Sequence, residues 1–372
     1  MSNANHVEME PCHNTFQVLL RQEVSNAYSC GDYLQLLRNH GEVSAVRNLP
    51  SSSSCMLNYQ GHMGSSPTSV FTVNELEEAD HHMHVVSDDD VLTENPTPCL
   101  MNESWRESIC LWAYDITDRL AIDRSIVEVC MSNLDRFLYR HYGLGLNNGN
   151  QSPLPNTLTK EALQLCSVTC LYTATKITDQ LNCRRKLSLS MFVKAASGQF
   201  NEEDMRQMEL KILSTLGWFV NPPTRLDYAR MLVHEAIAHL RLSEGQRNIS
   251  GTDYWLKTKE DIDQCVDTMR FIIELSVCDY YFVTKRPSMI ASAAVTLASQ
   301  IVKHKRSSSG FADFLAAFVA RSIKANEGYC RDEIKSIFNR LYDLYTRSTE
   351  HIVTINENNQ ESQTIVSDDE SA

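Results

Sequence analysis

The sequence predicts an all-α protein with two tandem helical bundles, flanked by disordered acidic N- and C-terminal tails. Three observations favour this fold. Apolar residues recur with helical spacing between residues 101 and 349, helix-capping residues precede two of these stretches, and no alternating strand pattern of useful length occurs. A chain of 372 residues with 42% hydrophobic content can bury a sizeable core in each bundle.

The acidic charge of the chain is concentrated in its two tails. Residues 1–100 contain 13 acidic and 3 basic side chains, and residues 350–372 contain 6 acidic and none basic, so a net charge of −13 leaves about +3 for residues 101–349. Segment 45–100 is rich in Ser, Pro and Asp, and such a composition cannot repay the entropy of folding. We therefore expect both acidic tails to be disordered, except for short helices at 15–38 that pack on the core or on a partner.

Composition and motif content exclude several classes of function. A nearly neutral core without a basic stripe argues against nucleic-acid binding, and no apolar run approaches the 18 residues of a membrane span. The 12 cysteines include no Cys-x-x-Cys pair, which predicts buried free thiols in place of a metal site. Because phosphate loops and catalytic signatures are also missing, we expect a soluble intracellular protein without catalytic residues, metal or cofactor.

One helix of the first bundle is predicted within the segment IVEVCMSNLDRFLYRH, residues 126–141. Its apolar residues follow the i, i+3, i+4 pattern in a stripe wide enough to contact two neighbours, which indicates a central buried helix. The residues of this stripe are Ile126, Val129, Cys130, Leu134, Phe137 and Leu138. Two further helix starts are predicted at Asn201 and Thr224, because each is a capping residue with an acid three positions later.

A domain joint is predicted at residues 220–224, where the sequence VNPPT ends one helix and begins the next. The first bundle is thus assigned to 101–220 and the second to 221–349. In the second bundle, a helix rich in small residues lets its neighbours approach closely and belongs in a core. Its small residues include Ala291, Ala293, Ala294 and Ala298.

Residues 102–345 contain several segments, among them WRESICLW and LDRFL, that resemble the cyclin box. WRESICLW at 105–112 resembles the opening MRxxLxxW of that domain, and LDRFL at 134–138 matches its second helix. The resemblance implies a largely buried ion pair between Arg106 and Asp135 that joins two helices. Loss of either partner would leave a buried unpaired charge, which costs about 3–5 kcal/mol.

Two further segments, LQLCSVTCLYTATKITD and MELKILSTLGW, resemble the parts of the cyclin box that bind a protein kinase. Lys176 and Glu209 stand at the lysine and glutamate that contact the kinase in this family, although their spacing alone also fits an intramolecular surface ion pair of little energetic value. The resemblance implies a kinase-binding set of Lys176, Glu209, Asp179, Ile177, Leu213 and Trp218.

A second surface carried over from the family is its substrate-docking groove, which binds Arg-x-Leu peptides. The matching residues are Trp105, Ile109, Trp112, Asp115 and Gln164. Ser108 replaces a residue that is usually apolar, so docking by this groove is expected to be weakened or altered. The alternative that Ile109 and Trp112 are simply core residues of their helix remains open at this point.

The resemblance therefore implies a divergent cyclin, similar to the A, B and D cell-cycle types. Such a protein is a non-catalytic subunit that binds and activates a cyclin-dependent Ser/Thr kinase, and it recruits substrates or inhibitors with Arg-x-Leu motifs. It is expected in the nucleus and cytoplasm, with no nucleic-acid or membrane partner. Three alternatives remain: a transcription-type cyclin, a TFIIB-like transcription factor with the same fold, and an inert scaffold. Fold by itself does not decide among them.

Overall fold

The computed structural model describes residues 10–41, 101–143, 158–178, 187–196, 198–245, 252–305, 310–325 and 328–368. These residues form twelve α-helices, a π-helical turn at Tyr139–Gly143 and a 3-10 turn at Tyr280–Phe282, and they include no β-strand. The all-α prediction is therefore confirmed. Asp179 and segment 45–100 lie outside the described residues.

The helices fall into a short N-terminal pair and two bundles. The pair consists of α1 (Glu10–Glu23) and α2 (Tyr33–Gly41). The N-terminal bundle contains α3 (Glu103–Arg119), α4 (Ile126–Leu138), α5 (Lys160–Thr178), α6 (Leu189–Ala195) and α7 (Glu202–Thr215). The C-terminal bundle contains α8 (Arg225–Gly245), α9 (Thr252–Cys278), α10 (Pro287–Lys305), α11 (Gly310–Ala325) and α12 (Arg331–Asp368).

Helix α4 is the centre of the N-terminal bundle, as its wide apolar stripe predicts. Every residue of α4 except Ser132 is buried, and the helix packs against α3 and α5. The buried set includes three charged side chains, so charge–charge contacts as well as apolar packing hold this helix in place. These contacts form the site described below.

Helix α10 has the corresponding place in the C-terminal bundle, where it packs against α8, α9, α11 and α12. Its residues Ala291, Ala293, Ala294 and Ala298 are at most 1% exposed. Small side chains let neighbouring backbones approach closely, which explains how α10 can contact the four other helices of its bundle. The prediction of a small-residue core helix is confirmed.

The joint between the bundles has well-defined helix ends. Helix α7 begins with a reciprocal capping box between Asn201 and Asp204, and α8 begins with the same arrangement between Thr224 and Asp227. Both predicted helix starts are therefore confirmed. At the other end of α7, Gly217 has φ +60° and donates its N–H to the Ser214 carbonyl, which completes a Schellman-type C-cap.

The N-terminal pair of helices lies across both bundles. Helix α1 packs on α8, where the rings of Phe16 and Tyr228 meet edge to face with their centroids 5.9 Å apart. In α2, Tyr33 and Leu34 are fully buried and belong to the core of the N-terminal bundle. Segment 10–41 therefore connects the surfaces of the two bundles.

The last helix, α12, extends into the segment where the acidic C-terminal tail is expected. Its backbone is helical to Asp368, well past residue 350. Residues 331–368 contain neither Gly nor Pro, so the sequence lacks the usual signals that end a helix.

No helix among the described residues is long and apolar enough to cross a membrane.

Candidate functional site

The ion pair between Arg106 of α3 and Asp135 of α4 forms the buried centre of the site. Arg106 is 1% exposed, and its Nε and Nη2 donate to the two Asp135 carboxylate oxygens at 2.9 and 2.8 Å. Its Nη1 donates to the carbonyls of Val277 and Cys278 at 2.9 and 3.0 Å. Burial alone would lower the pKa of Arg106, but the adjacent Asp135 charge holds that pKa above its usual range. One guanidinium thus joins α3, α4 and the end of α9.

Tyr33 of α2 is a third member of this ion-pair cluster. Its hydroxyl donates to Asp135 Oδ1 at 2.8 Å, and its ring packs edge to face on Tyr280 with the centroids 5.3 Å apart. Tyr280 in turn donates its hydroxyl to Asp32 at 2.8 Å and accepts the N–H of Leu34 at 3.1 Å. This role of Tyr33 was not predicted, because no residue near Tyr33 in the sequence indicates a partner at Asp135.

A second buried contact between the bundles involves Glu128 of α4 and the start of α8. Its carboxylate accepts the backbone N–H groups of Arg225 at 2.6 Å and Leu226 at 3.4 Å. The Arg225 guanidinium donates to Ser276 Oγ at 3.0 Å and lies 3.7 Å from Glu128. Burial raises the pKa of Glu128 despite the neighbouring Arg225 charge. This acid caps α8 from the other bundle, where a negative charge also suits the helix dipole.

Arg136 of α4 positions the segment that follows α7. Its Nη1 donates to the carbonyls of Phe219 at 2.7 Å and Ala27 at 3.0 Å, and its guanidinium carbon lies 5.3 Å from the centroid of the Tyr28 ring. Burial lowers the pKa of Arg136 to about 10, and the nearby Arg140 charge lowers it as well. Asn133 adds a hydrogen bond of 3.0 Å to the Val220 carbonyl, so the joint is held to α4 at two successive residues.

Lys176 and Glu209 are brought together by the packing of α5 on α7. Lys176 Nζ lies 2.8 Å from Glu209 Oε1, and the same oxygen accepts the Thr173 hydroxyl at 3.2 Å. The Lys176 side chain is 49% exposed, whereas that of Glu209 is 14% exposed. The intramolecular ion pair therefore exists, and at this exposure it contributes about 0–1 kcal/mol to stability.

An exposed apolar surface lies beside this pair, on α7 and the turn that ends it. We call Leu210, Leu213, Trp218 and Phe219 the apolar face. Leu210, Trp218 and Phe219 are 62%, 67% and 50% exposed, while Leu213 and the neighbouring Ile177 are half-buried. Leu210 and Phe219 were not identified from the sequence, because an apolar residue on an amphipathic helix is normally assigned to the core.

Trp218 has an unusual backbone conformation for an aromatic residue. Its φ is +67°, in the left-handed region that disfavours side chains other than Gly, and its N–H donates to the Leu213 carbonyl at 2.9 Å. A strained, exposed tryptophan gains nothing from core packing. Such outliers cluster at functional sites, where surrounding structure holds them in place.

The residues assigned to a substrate-docking groove have different environments. Ile109 is 4% exposed and lies in the core of the N-terminal bundle, which agrees with the alternative that Ile109 is a core residue of its helix. Its side chain is therefore almost inaccessible to a peptide. Trp105, Trp112 and Gln164 are half-buried. Asp115 is exposed and forms an i,i+4 ion pair of 2.9 Å with Arg119.

Two family models match this chain. The model described as "Cyclin, N-terminal domain" matches residues 72–221, and the one described as "Cyclin, C-terminal domain" matches residues 252–367. The chain belongs to the cyclin family. Within the described residues, this cyclin has no group of three or more His, Cys, Asp or Glu side chains that could hold a metal ion.

Curated relatives include cell-cycle cyclins. This cyclin is 23% identical to the human G1/S-specific cyclin-D1 over 249 residues, which are 64% of this chain and 70% of that protein. It is 24% identical to the G2/mitotic-specific cyclin-B2 of Gallus gallus over 206 residues, which are 55% of this chain and 41% of that protein. These relatives do not favour the TFIIB-like or transcription-type alternatives.

Among solved structures, a viral cyclin from herpesvirus saimiri matches with a TM-score of 0.44 and 13% sequence identity. The match covers 67% of this chain and 87% of the viral chain.

Proposed function

We propose that this cyclin binds and activates a cyclin-dependent Ser/Thr protein kinase as a non-catalytic regulatory subunit in cell-cycle control. The observation that carries the proposal is the apolar face, and above all Trp218, which is 67% exposed in a strained conformation. Exposed tryptophans are over-represented among the residues that dominate protein–protein binding energy. A helix of the kinase with apolar side chains is the partner that suits this face.

Activation follows from binding energy and needs no catalytic group on the cyclin. A kinase is active when the glutamate of its C helix pairs with its ATP-binding lysine, which requires the helix to lie inward. A partner that binds the inward state more tightly shifts the population toward it. Arg136 and Asn133 hold the Phe219–Val220 segment to α4, so the apolar face is anchored to the core of the bundle before the kinase arrives.

Lys176 and Glu209 supply the polar part of the proposed contact. Their ion pair contributes about 0–1 kcal/mol, so a kinase can replace it with contacts of its own at little cost. The Lys176 ammonium group has three N–H donors. In the free protein it donates one hydrogen bond to Glu209. Charged groups at the rim of an interface set orientation and exclude wrong partners more than they add affinity.

The test is a pull-down of the tagged protein from growing-cell extract, followed by a kinase assay on a Ser-Pro substrate. Wild type is compared with the double variant Lys176→Ala/Glu209→Ala. The matched control is Glu202→Ala/Arg206→Ala, which removes an exposed ion pair from the same helix α7. All three proteins are checked for folding by circular dichroism.

We expect wild type and the control to capture equal kinase activity and the Lys176/Glu209 variant to capture less. Capture of equal activity by all three proteins would refute the role given to the pair. Failure of folded wild type to capture any kinase would refute the proposed function and favour the scaffold alternative.

A further inference from the structure

Two thiols from different bundles touch at the end of α9. Cys110 lies on α3 and Cys278 is the last residue of α9, and their sulfur atoms are 3.3 Å apart. Both are free cysteines, with Cys110 fully buried and Cys278 half-buried. Other buried thiols have different neighbours: Cys166 lies 3.5 Å from the Met208 sulfur, and Cys130 lies 4.0 Å from the Ser167 carbonyl oxygen.

The backbone around this pair is fixed by the buried ion-pair cluster. Arg106 lies one helical turn before Cys110 and donates to the Cys278 carbonyl at 3.0 Å. A disulfide has an S–S length of about 2.05 Å, so the two sulfurs need to approach by little more than about 1 Å to form one. The ion pair thus holds the two cysteines in register across the bundle joint.

From this geometry we infer that Cys110 and Cys278 form a reversible disulfide on exposure to a peroxide, which covalently joins the two bundles. The site is independent of the proposed kinase face. It lies among α3, α9 and the ion-pair cluster, whereas the apolar face lies on α7 and the turn after it.

The exposure of the two thiols determines the order of the steps. Burial raises the pKa of Cys110 well above its usual value, so its thiolate is scarce, whereas Cys278 is half-buried and within reach of a small oxidant. The Cys278 thiolate attacks one peroxide oxygen; an S–O bond forms, the O–O bond breaks, and hydroxide leaves as water after taking the released thiol proton.

The second step closes the cross-link. The Cys110 sulfur attacks the Cys278 sulfenic acid sulfur, an S–S bond forms, and the S–O bond breaks with loss of a second water that carries the Cys110 proton. Overall, two thiols lose two electrons, and one hydrogen peroxide gains them to become two waters. A dithiol reductant reverses the reaction by thiol–disulfide exchange.

The test uses the full chain under native conditions with graded hydrogen peroxide, then alkylation of remaining thiols, trypsin digestion without reductant and mass spectrometry. Trypsin releases Cys110 in peptide 107–119 and Cys278 in peptide 271–285, and each peptide contains a single cysteine. Exposed Cys330 reports that the oxidant has reached the protein.

We expect a cross-linked 107–119/271–285 peptide whose mass is two hydrogens below the sum of the two thiol peptides, and loss of this peptide after dithiothreitol. Cys278→Ser should abolish the cross-link, and the matched change Cys265→Ser, at another buried cysteine, should leave it intact.

The inference is overturned if Cys330 is fully oxidised in native wild-type protein while Cys110 and Cys278 both remain alkylatable. It is also overturned if the cross-link appears only after urea is added, because the native contact would then have no part in it. Both outcomes are read on wild type, so they do not depend on the folding of any variant.

Discussion

The Tyr33 hydroxyl lies 2.8 Å from Asp135 Oδ1, although the two residues are 102 positions apart in the chain. Through this contact α2 reaches the ion pair by which Arg106 joins both bundles. The N-terminal helix pair is therefore part of the same buried polar cluster as the cyclin core. Its contribution to stability can be measured separately from that of the ion pair.

Tyr33→Phe removes this hydroxyl and preserves the ring that packs on Tyr280. Because the hydrogen bond is buried and its acceptor is charged, the free energy of unfolding should fall by about 1.5–3 kcal/mol. Urea titration of the full chain measures the change. Tyr342→Phe, at a residue that is 52% exposed, is the matched control and should change stability by less than about 0.5 kcal/mol. An equal effect of both substitutions would contradict the role given to Tyr33.

Removing one partner of the Arg106–Asp135 pair should have a larger effect. Arg106→Met or Asp135→Leu leaves a buried charge without its partner, so each should lower the free energy of unfolding by about 3–5 kcal/mol. The double variant should be less destabilised than the sum of the two single variants, because neither charge then remains. Arg119→Ala, which breaks the exposed pair with Asp115, is the control and should cost about 0.5 kcal/mol or less. Simple additivity of the two core substitutions would argue against direct pairing.

His141 should make stability depend on pH. Burial lowers the pKa of His141 to about 4, with a smaller effect from Lys211, whereas the unfolded side chain titrates near 6.5. Between these values the unfolded chain binds a proton that the folded protein does not, so the free energy of unfolding should fall as the pH drops below 6.5.

The pH effect can be assigned by comparing variants in urea titrations from pH 7.5 to 5. His141→Phe keeps a ring against Phe137, on which His141 stacks at 5.2 Å, and should flatten the decline. His304→Gln, at an exposed histidine, should retain the wild-type slope. A wild-type slope in His141→Phe would show that other groups cause the decline.

Trp218→Gly should separate stability from kinase binding. Glycine adopts φ near +67° without strain, so the free energy of unfolding should stay equal or rise by about 1 kcal/mol. Kinase capture should fall at least about tenfold, because an exposed aromatic anchor is lost. Ser214→Gly on α7 is the control: it should cost about 0.5 kcal/mol of stability and retain kinase capture. A folded Trp218→Gly protein that binds kinase like wild type would rule out Trp218 as an anchor.

Local sequence patterns predicted the helices and their ends. The stripe of α4, the small-residue face of α10 and the capping boxes at Asn201 and Thr224 each depend on residues within a few positions of one another. Such patterns reflect the 3.6-residue helical period and the unpaired N–H groups of a first turn, which are properties of the chain itself. The resemblance to the cyclin box then supplied the pairs Arg106–Asp135 and Lys176–Glu209.

Local sequence patterns do not predict which apolar residues of a helix are exposed. Ile109 lies in the core and Leu210 lies on the surface, although both are apolar residues on amphipathic helices. Which side of a helix becomes covered depends on the neighbours that pack against it. The extent of the apolar face was therefore visible only after α5, α7 and the joint were placed in three dimensions.

The helical class, the two-bundle division and the family of this protein follow from its sequence alone, because they depend on short-range periodicity and on motifs. Tertiary packing is needed to know which distant groups meet: Tyr33 with Asp135, Glu128 with the start of α8, and Cys110 with Cys278. These partners are 97 to 168 residues apart, and no local preference of the chain specifies such pairs. They form when packing of the two bundles and segment 10–41 removes water and requires each buried polar group to find a partner.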